Sequence, residues 1–359
     1  NFFMKARKYN VIGVMSGTSC DGLDLALCSF WYSNKKWNYK LIDSKGINYG
    51  VDLKSKLEGC SNLSGYELKE LDLEFGDFIA KAIKKLIGKS KMSIDLISSH
   101  GHTVFHNAKN KIHHQIGNPF LIYKTLNCPV IFNFRELDVI LGGEGAPLVT
   151  FGERELFSEY DYCVNIGGIL NISLLKTQDI IGYDVCPANI ILNRFSKKLG
   201  HEFDEDGKIS KKGINNPQLF EKLNQLSYNK IKSPKSLDLI YIKKNYYPLF
   251  NSLGSADVLH TFIDHIAYQL NENIKNKKAK VLVTGGGAFN KHLIEKINHY
   301  NKLDTKYIVP NKKLVIFKEA IVFGFLGLLR FLDKKNIENS VTGSTNSSSS
   351  GLVLDNKIV

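Results

Sequence analysis

The chain has 359 residues, of which 43% are hydrophobic, enough for two ordinary domains with cores of their own. Its net charge of +13 invites a nucleic-acid reading, but the lysines fall in dispersed patches (Lys84 and Lys85, Lys275 to Lys280, Lys312 and Lys313, Lys334 and Lys335) without interleaved aromatics. No apolar run approaches the roughly 20 residues a membrane span needs, and no charged-then-apolar leader opens the sequence. With six scattered cysteines that form no close pairs, the expectation is a cytoplasmic protein without nucleic-acid or membrane partners.

Residues Asn1 to Phe3 precede Met4 and are left out of the expected fold. The β-branched and apolar run Val11 to Val14 predicts a strand, and the alternating segment Leu23 to Phe30 predicts a second one. The turn between them, Met15 to Asp24, carries chemistry. Gly17 and Gly22 let backbone approach a ligand, Thr18 and Ser19 add hydroxyl donors, and successive N–H groups around Cys20 and Leu23 can point into one concavity. That is a phosphate cradle spanning Gly17 to Asp24. Asp21 and Asp24 would be repelled by phosphate unless a hard cation lies between, so a magnesium ion held partly through water is expected there. The bland alternative is a polar hairpin turn.

Trp37 to Ile42 reads as a third strand. Ser64 with Glu67 forms a capping box, and Leu68, Leu71, Phe75, Phe78, Ile79, Ala82, Ile83 and Leu86 recur at helical spacing until Gly88. Ile94 to Ser98 is a short buried strand that delivers Ser99-His100-Gly101-His102-Thr103 at its C-terminal end, where open α/β sheets bind ligands. Val130 to Phe134 then leads into a polar loop holding Arg135, Asp138 and the turn Gly142 to Pro147, and the domain boundary is expected just after it, at residue 150. The second half repeats this logic with strand Tyr162 to Ile166, turn Gly167-Gly168 and strand Leu170 to Leu174, which predicts duplicated lobes. Gly182 to Pro187 reads as a strand end before a helix, and a lysine-rich loop with Pro234-Lys235-Ser236 follows. Val281 to Thr284 feeds Gly285-Gly286-Gly287 and a further helix, and the last expected element is an apolar helix from about Glu319 to Leu332. The Ser/Thr/Gly/Asn segment 340–350 cannot bury a core, so 336–359 is expected to be disordered.

Three glycine turns, each leaving a buried strand and spread over both halves, ask for a ligand that both halves grip, and a nucleoside triphosphate fits. In this reading the turn at Gly17 holds the terminal phosphates, Gly167 and Gly168 face it, and Gly285 to Gly287 lets adenosine lie against backbone. No Gly-Lys-Ser/Thr ending makes a P-loop, and no Gly-x-Gly-x-x-Gly opens a helix.

At these residues the sequence resembles the anhydro-N-acetylmuramic acid kinase family, over roughly Tyr9 to Leu332. The family's Met-Ser-Gly-Thr-Ser-x-Asp-Gly-x-Asp stands complete at Met15 to Asp24. Supporting matches are Ser99-His100-Gly101, Gln115-Ile116-Gly117, Phe134-Arg135 with Asp138, Gly145 to Val149, Asn165 to Gly168, Gly285 to Gly287 and Glu319-Ala320. The resemblance implies an α/β fold of two RNase H-like (actin-like ATPase) lobes, 4–150 and 151–335, with an active-site cleft between them. It implies ATP and Mg2+ as cofactors, an amino sugar as substrate and a homodimer. The implied activity hydrolyses the 1,6-anhydro bond and phosphorylates O6, giving N-acetylmuramate 6-phosphate for cell-wall recycling. By the same carry-over Asp184 is the water-activating base, and Arg135, Asp138 and Glu319 contact the sugar.

The sequence departs from the family at Asn133 (usually Asp), Glu144 (usually Gln), Cys186-Pro187-Ala188-Asn189 (usually Gly-Pro-Gly-Asn), His102 (more often Gln) and Leu237 to Ile240, where Thr-Gly-Arg-Glu is usual. On residue type alone Asp184 could instead cap the following helix, and Arg135 with Asp138 could be an inter-loop salt bridge. Rival functions are a zinc hydrolase built on His100, His102, His106, His113 and His114, a non-catalytic sugar or nucleotide sensor, and a kinase for an ordinary hexosamine.

Overall fold

A computed structural model of the chain describes residues 7–17, 20, 22–88, 92–233, 235–251 and 253–355. They divide into two units, Asn1–Leu156 with Phe317–Val359, and Phe157–Ile316.

The first unit carries strands β1 (Lys8–Ser16), β2 (Leu23–Ser33), β3 (Lys36–Ile47), β4 (Leu96–Ser99), β5 (His102–Asn107), β6 (Ile112–Ile116) and β7 (Val130–Phe132). Its main sheet runs β3-β2-β1-β4-β7, with the C-terminal strand Leu352–Leu354 on the β7 edge. The first three strands form an antiparallel meander, and β4 and β7 join parallel to β1. Strands β5 and β6 make a separate hairpin.

Alternation along β1 assigns its two faces. Ile12 and Val14 point with Leu25 and Leu27 into a core closed by Phe75, Ile79 and Ile83 of helix Gly65–Ile87, which starts at the expected Ser64–Glu67 capping box. Gly13 points the other way, against helix Lys312–Phe331. A Cβ on Gly13 would lie 1.8 Å from the Ala320 carbonyl oxygen, so only glycine admits the helix this close to the sheet. Farther along that helix Ser98 Oγ donates to the Phe323 carbonyl at 2.5 Å.

The first unit extends past the expected boundary because helix Val149–Leu156 packs on helix Lys312–Phe331. Gly152 abuts Val322, and Glu153 pairs with Lys318, both side chains being buried. From Phe317 onward the chain belongs to the first unit as well, not to a second lobe ending at 335.

The expectation of a disordered tail is also corrected. Residues 336–355 hold a short helix, Asn339–Thr342, and the strand Leu352–Leu354 paired antiparallel to β7. The physical reason is polar rather than apolar. Buried Asn336 donates to the carbonyls of Leu326 and Ser350 and accepts from the Ser350 N–H, Ser350 Oγ donates to the Phe134 carbonyl at 2.7 Å, and Arg330 Nε holds the Gly351 carbonyl. Serine and asparagine build this segment's order through bonds that no hydrophobic pattern announces.

The second unit carries β8 (Tyr162–Ile166), β9 (Ile169–Leu174), β10 (Ile181–Pro187), β11 (Lys280–Thr284) and β12 (Lys306–Ile308), in the order β10-β9-β8-β11-β12. Again three antiparallel strands are followed by two parallel ones. Each unit thus repeats one arrangement, third-second-first-fourth-fifth, which is the RNase H-like order of an actin-like ATPase fold. Its core gathers Val164, Ile166, Val281 and Val283 with Phe262, Ile266 and Leu270 of helix Ser255–Asn273. No helix among the described residues is long and apolar enough to cross a membrane. All six cysteines are buried thiols outside any disulfide.

Candidate active site

The β1–β2 turn places Gly17 and Gly22 at the ends of the paired strands, and Cys20 adopts φ 52° with its N–H donating to the Gly17 carbonyl. A Cβ on Gly22 would meet the Ile47 carbonyl at 2.6 Å, so this glycine lets β3 close over the turn. Thr18, Ser19 and Asp21 lie outside the described residues. Leu23 is fully buried and turned into the core, so its part in the cradle is limited to backbone. The Asp24 carboxylate accepts no hydrogen bond among the described residues, and burial and the nearby Glu319 carboxylate push its pKa up to about 6. Glu319 is itself raised by burial, partly offset by Lys318 and Arg135. Two such carboxylates favour a cation beside them, and oxygen donors of this kind suit a hard divalent ion that keeps most of its water.

Arg135 follows the end of β7 and caps the short helix Glu136–Ile140. Its Nε donates to His100 Nε2 at 3.0 Å and its Nη1 to the Gly145 carbonyl at 2.6 Å, while Nη2 has no partner among the described residues. That fixes His100 as the neutral Nδ1–H tautomer, with Nδ1 donating to the Gly101 carbonyl, and burial together with the Arg135 charge holds its pKa well below the usual imidazole value. Burial lowers Arg135 to about 10, against the opposing pull of Glu319 and Asp138. Arg135 and Glu319 are therefore close enough to influence each other electrostatically.

Asp138 stands differently. It is fully buried, its Oδ2 accepts the Gly145 N–H at 2.8 Å, and its Oδ1 accepts the Thr342 hydroxyl at 2.7 Å. Both oxygens are occupied, so in this conformation the carboxylate organises the glycine turn instead of reaching a ligand. Nor do Arg135 and Asp138 form a direct salt bridge: Gly145 links them, accepting from one through its carbonyl and donating to the other through its N–H.

In the second unit two glycine turns meet. A Cβ on Gly285, where φ is +82°, would fall 2.5 Å from Asn165 Oδ1 and 2.7 Å from the Ile166 carbonyl, and one on Gly287 would fall 2.3 Å from Ile166 Cγ2. These two glycines bring the end of β11 against the end of β8, beside Gly167. Gly286 and Gly168 have no such neighbour, the closest atom to a Cβ on Gly286 being Asn189 Nδ2 at 3.6 Å. The Gly167 and Gly168 carbonyls accept from the N–H groups of Ala188, Asn189 and Ile190, satisfying the start of helix Asn189–Lys198.

Asp184 is on β10 at a register shift opposite Asn171. Its Oδ2 accepts the Leu237 N–H at 2.9 Å, its backbone is held by the Tyr228 hydroxyl and the Lys235 carbonyl, and Oδ1 has no partner among the described residues. Burial raises its pKa, with the Leu237 N–H and the Lys235 charge pulling the other way. It does not cap the following helix, whose N-cap is Ala188. The departure at Leu237 is harmless to this contact because the donor is backbone, and Asp238 becomes the N-cap of helix Leu239–Asn245, accepting from the Tyr241 N–H at 2.6 Å.

The histidines do not form a zinc centre. His100 is committed to Arg135, His102 contacts Ser16 Oγ at 3.1 Å, and His106 and His113 pair through their Nδ1 atoms at 3.0 Å. Among the described residues no group of three or more His, Cys, Asp or Glu could hold a metal ion. Around His100 lies a cavity of about 520 Å³ whose lining mixes Phe120 and Phe132 with Ser99, Gln115, Asn118 and Glu136, and in it Ser99 Oγ and Gln115 Oε1 are buried without a partner among the described residues. The sequence reading missed four partners: His100 beneath Arg135, Thr342 on Asp138, and Tyr228 and Leu237 around Asp184. For His100 the Ser-His-Gly motif was a signal. Thr342 gave none.

Comparison with known proteins shows the family. The family model for anhydro-N-acetylmuramic acid kinase matches residues 9–355. A protein of that name from Pelagibacter ubique is 32% identical, over 91% of this chain and 93% of its own length. Another from Francisella tularensis subsp. novicida is 31% identical, over 95% and 97%. Among solved structures, the activator of 2-hydroxyisocaproyl-CoA dehydratase from Clostridium difficile with bound ADPNP aligns over 91% of this chain and 99% of that one at 15% identity and a TM-score of 0.42, too slight a likeness to add to the strand order.

Proposed function

The chain belongs to the anhydro-N-acetylmuramic acid kinase family, and from that premise we propose that it opens the 1,6-anhydro bond of 1,6-anhydro-N-acetylmuramic acid and phosphorylates the freed O6 with ATP. It is a kinase, and the product in this reading is N-acetylmuramate 6-phosphate, an intermediate of cell-wall recycling.

The observation that carries the mechanism is the state of Asp184. One carboxylate oxygen is fixed by the Leu237 N–H and the other is open, while burial makes the group more basic than an ordinary aspartate. It is built to take a proton. Water attacks the anomeric carbon as Asp184 accepts its proton, the new C1–O bond forms, and the C1–O6 bond breaks. The electron pair left on O6 then forms the bond to the γ-phosphorus, whose bond to the β,γ-bridging oxygen breaks with release of ADP.

Arg135 presents Nη2 to the sugar from a guanidinium whose other nitrogens are held by His100 and Gly145, and Glu319 supplies an acceptor beside it. Asp138 acts one step back, by fixing Gly145. Gly17 to Asp24 and Gly167-Gly168 would contact the phosphates, and the open position at Gly286 would let the nucleoside approach backbone. Asp24 would hold a magnesium ion through water, with Asp21 the second carboxylate that the sequence offers. That ion would neutralise charge on the transferring phosphoryl group.

The test is incubation of the protein with ATP, magnesium and the anhydro sugar, following ADP and the sugar by mass. A product heavier by one water and one phosphoryl group is expected. ADP release without that product would refute the reading and favour a different amino sugar, whereas ATP binding with no turnover would favour a sensor.

A further inference from the structure

The C-terminal segment reaches the arginine of the proposed sugar site through a continuous chain of hydrogen bonds. Thr342 Oγ1 approaches Asp138 Oδ1 at 2.7 Å and Ser344 Oγ at 3.2 Å, and its single proton goes to the carboxylate, the nearer and charged acceptor. Asp138 Oδ2 accepts from Gly145 N–H, the Gly145 carbonyl accepts from Arg135 Nη1, and Arg135 Nε donates to His100. Two backbone bonds run alongside: Glu144 N–H to the Thr342 carbonyl at 2.7 Å, and Thr345 N–H to the Leu141 carbonyl at 3.0 Å. The turn they fasten is tightly fitted, since a Cβ on Gly143 would lie 2.3 Å from Asp138 Oδ2.

We propose that Thr342 is a positioning residue for the kinase reaction, its hydroxyl setting the Asp138 carboxylate and, through Gly145, the direction of the Arg135 guanidinium. Without that hydroxyl one oxygen of a fully buried carboxylate loses the donor that Thr342 supplies. Asp138 must then turn toward another partner, and Gly145 and Arg135 move with it. The cost falls on sugar recognition, not on the nucleotide turns. The inference rests on the reading that Arg135 contacts the sugar.

The experiment measures kcat, both KM values and the thermal midpoint for Thr342→Val, Thr342→Ala, Thr342→Ser and Arg135→Lys. Thr342→Val and Thr342→Ala remove the same hydroxyl with different shapes, so a folding defect peculiar to one does not decide the matter. Both should raise the sugar KM by about fivefold or more with the ATP KM within about twofold, and Thr342→Ser should restore the sugar KM. If Arg135→Lys raises the sugar KM while both hydroxyl-less variants leave it unchanged, Thr342 has no positioning role. A rise of both KM values together, or failure of Thr342→Ser to rescue, equally overturns it. Should Arg135→Lys leave the sugar KM unaltered, the reading of Arg135 itself fails and takes this inference with it.

Discussion

Asp184 combines two environments that work against each other, burial that raises its pKa and a backbone donor that favours its charge. Because a base acts only when ionised, kcat/KM for the anhydro sugar should fall as pH drops through the Asp184 pKa, and that limb should lie above the ordinary carboxylate value of about 4. A pH–rate profile still flat at pH 4.5 would contradict this. Asp24 gives a stability prediction. Its pKa in the folded protein is about 6 against 3.8 for an unperturbed aspartate, so between these values the folded state holds a proton that the unfolded state has lost. Stability therefore falls as pH rises from about 4 to 6, and above that the full cost of the buried charge is present. Without magnesium, Asp24→Asn should raise stability at pH 7.5 by about 1–2 kcal/mol, a figure discounted for partial solvent screening. The gain should vanish near pH 4 in denaturant titrations. An equal gain at both pH values would mean that the charge is not its source.

At the scale of elements, glycines separate into those the fold needs and those it leaves open. Gly13→Ala drives a Cβ into the Ala320 carbonyl and should cost about 3 kcal/mol or more in an unfolding titration, with a loss near zero telling against the sheet–helix contact. Gly286→Ala meets nothing closer than 3.6 Å, so its stability should stay within about 0.5–1 kcal/mol while ATP binding weakens about tenfold by calorimetry. Unchanged ATP affinity would remove the Gly285 to Gly287 turn from the nucleotide site. Sequence pattern made legible the elements that bury one face: β1 and β2, helix Gly65–Ile87 with its capping box, β8, and β11 with its glycine turn. It missed helix Ser255–Asn273, which is buried on most of its circumference and opens at Gly254 without a side-chain cap, so neither periodicity nor capping marks it. It missed the order of the C-terminal segment because that order rests on buried serine, threonine and asparagine bonds. Family motifs single out Asp184 and Arg135 as candidates, but not the Leu237 N–H and His100 that hold them, since a backbone donor leaves no trace in residue type.

Across the whole molecule, the chain repeats one five-stranded pattern twice, and the proposed site residues fall on both copies: Asp24, Arg135 and Glu319 in the first unit, Asp184 and two glycine turns in the second. A net charge of +13 should assist encounter with anionic substrates. Raising ionic strength from about 50 to 300 mM should therefore lower kcat/KM for ATP several-fold with little change in kcat, and a salt-independent kcat/KM would rule out steering by that charge. The most direct test of the central claim compares the native protein with Asp184→Asn on ATP, magnesium and 1,6-anhydro-N-acetylmuramic acid, scoring the sugar by mass and ATP binding by calorimetry. We expect the native protein to yield a sugar heavier by one water and one phosphoryl group, and the variant to bind ATP normally yet lose about 10³-fold or more in turnover. Appreciable formation of the same product by Asp184→Asn would contradict the assignment of the water-activating base.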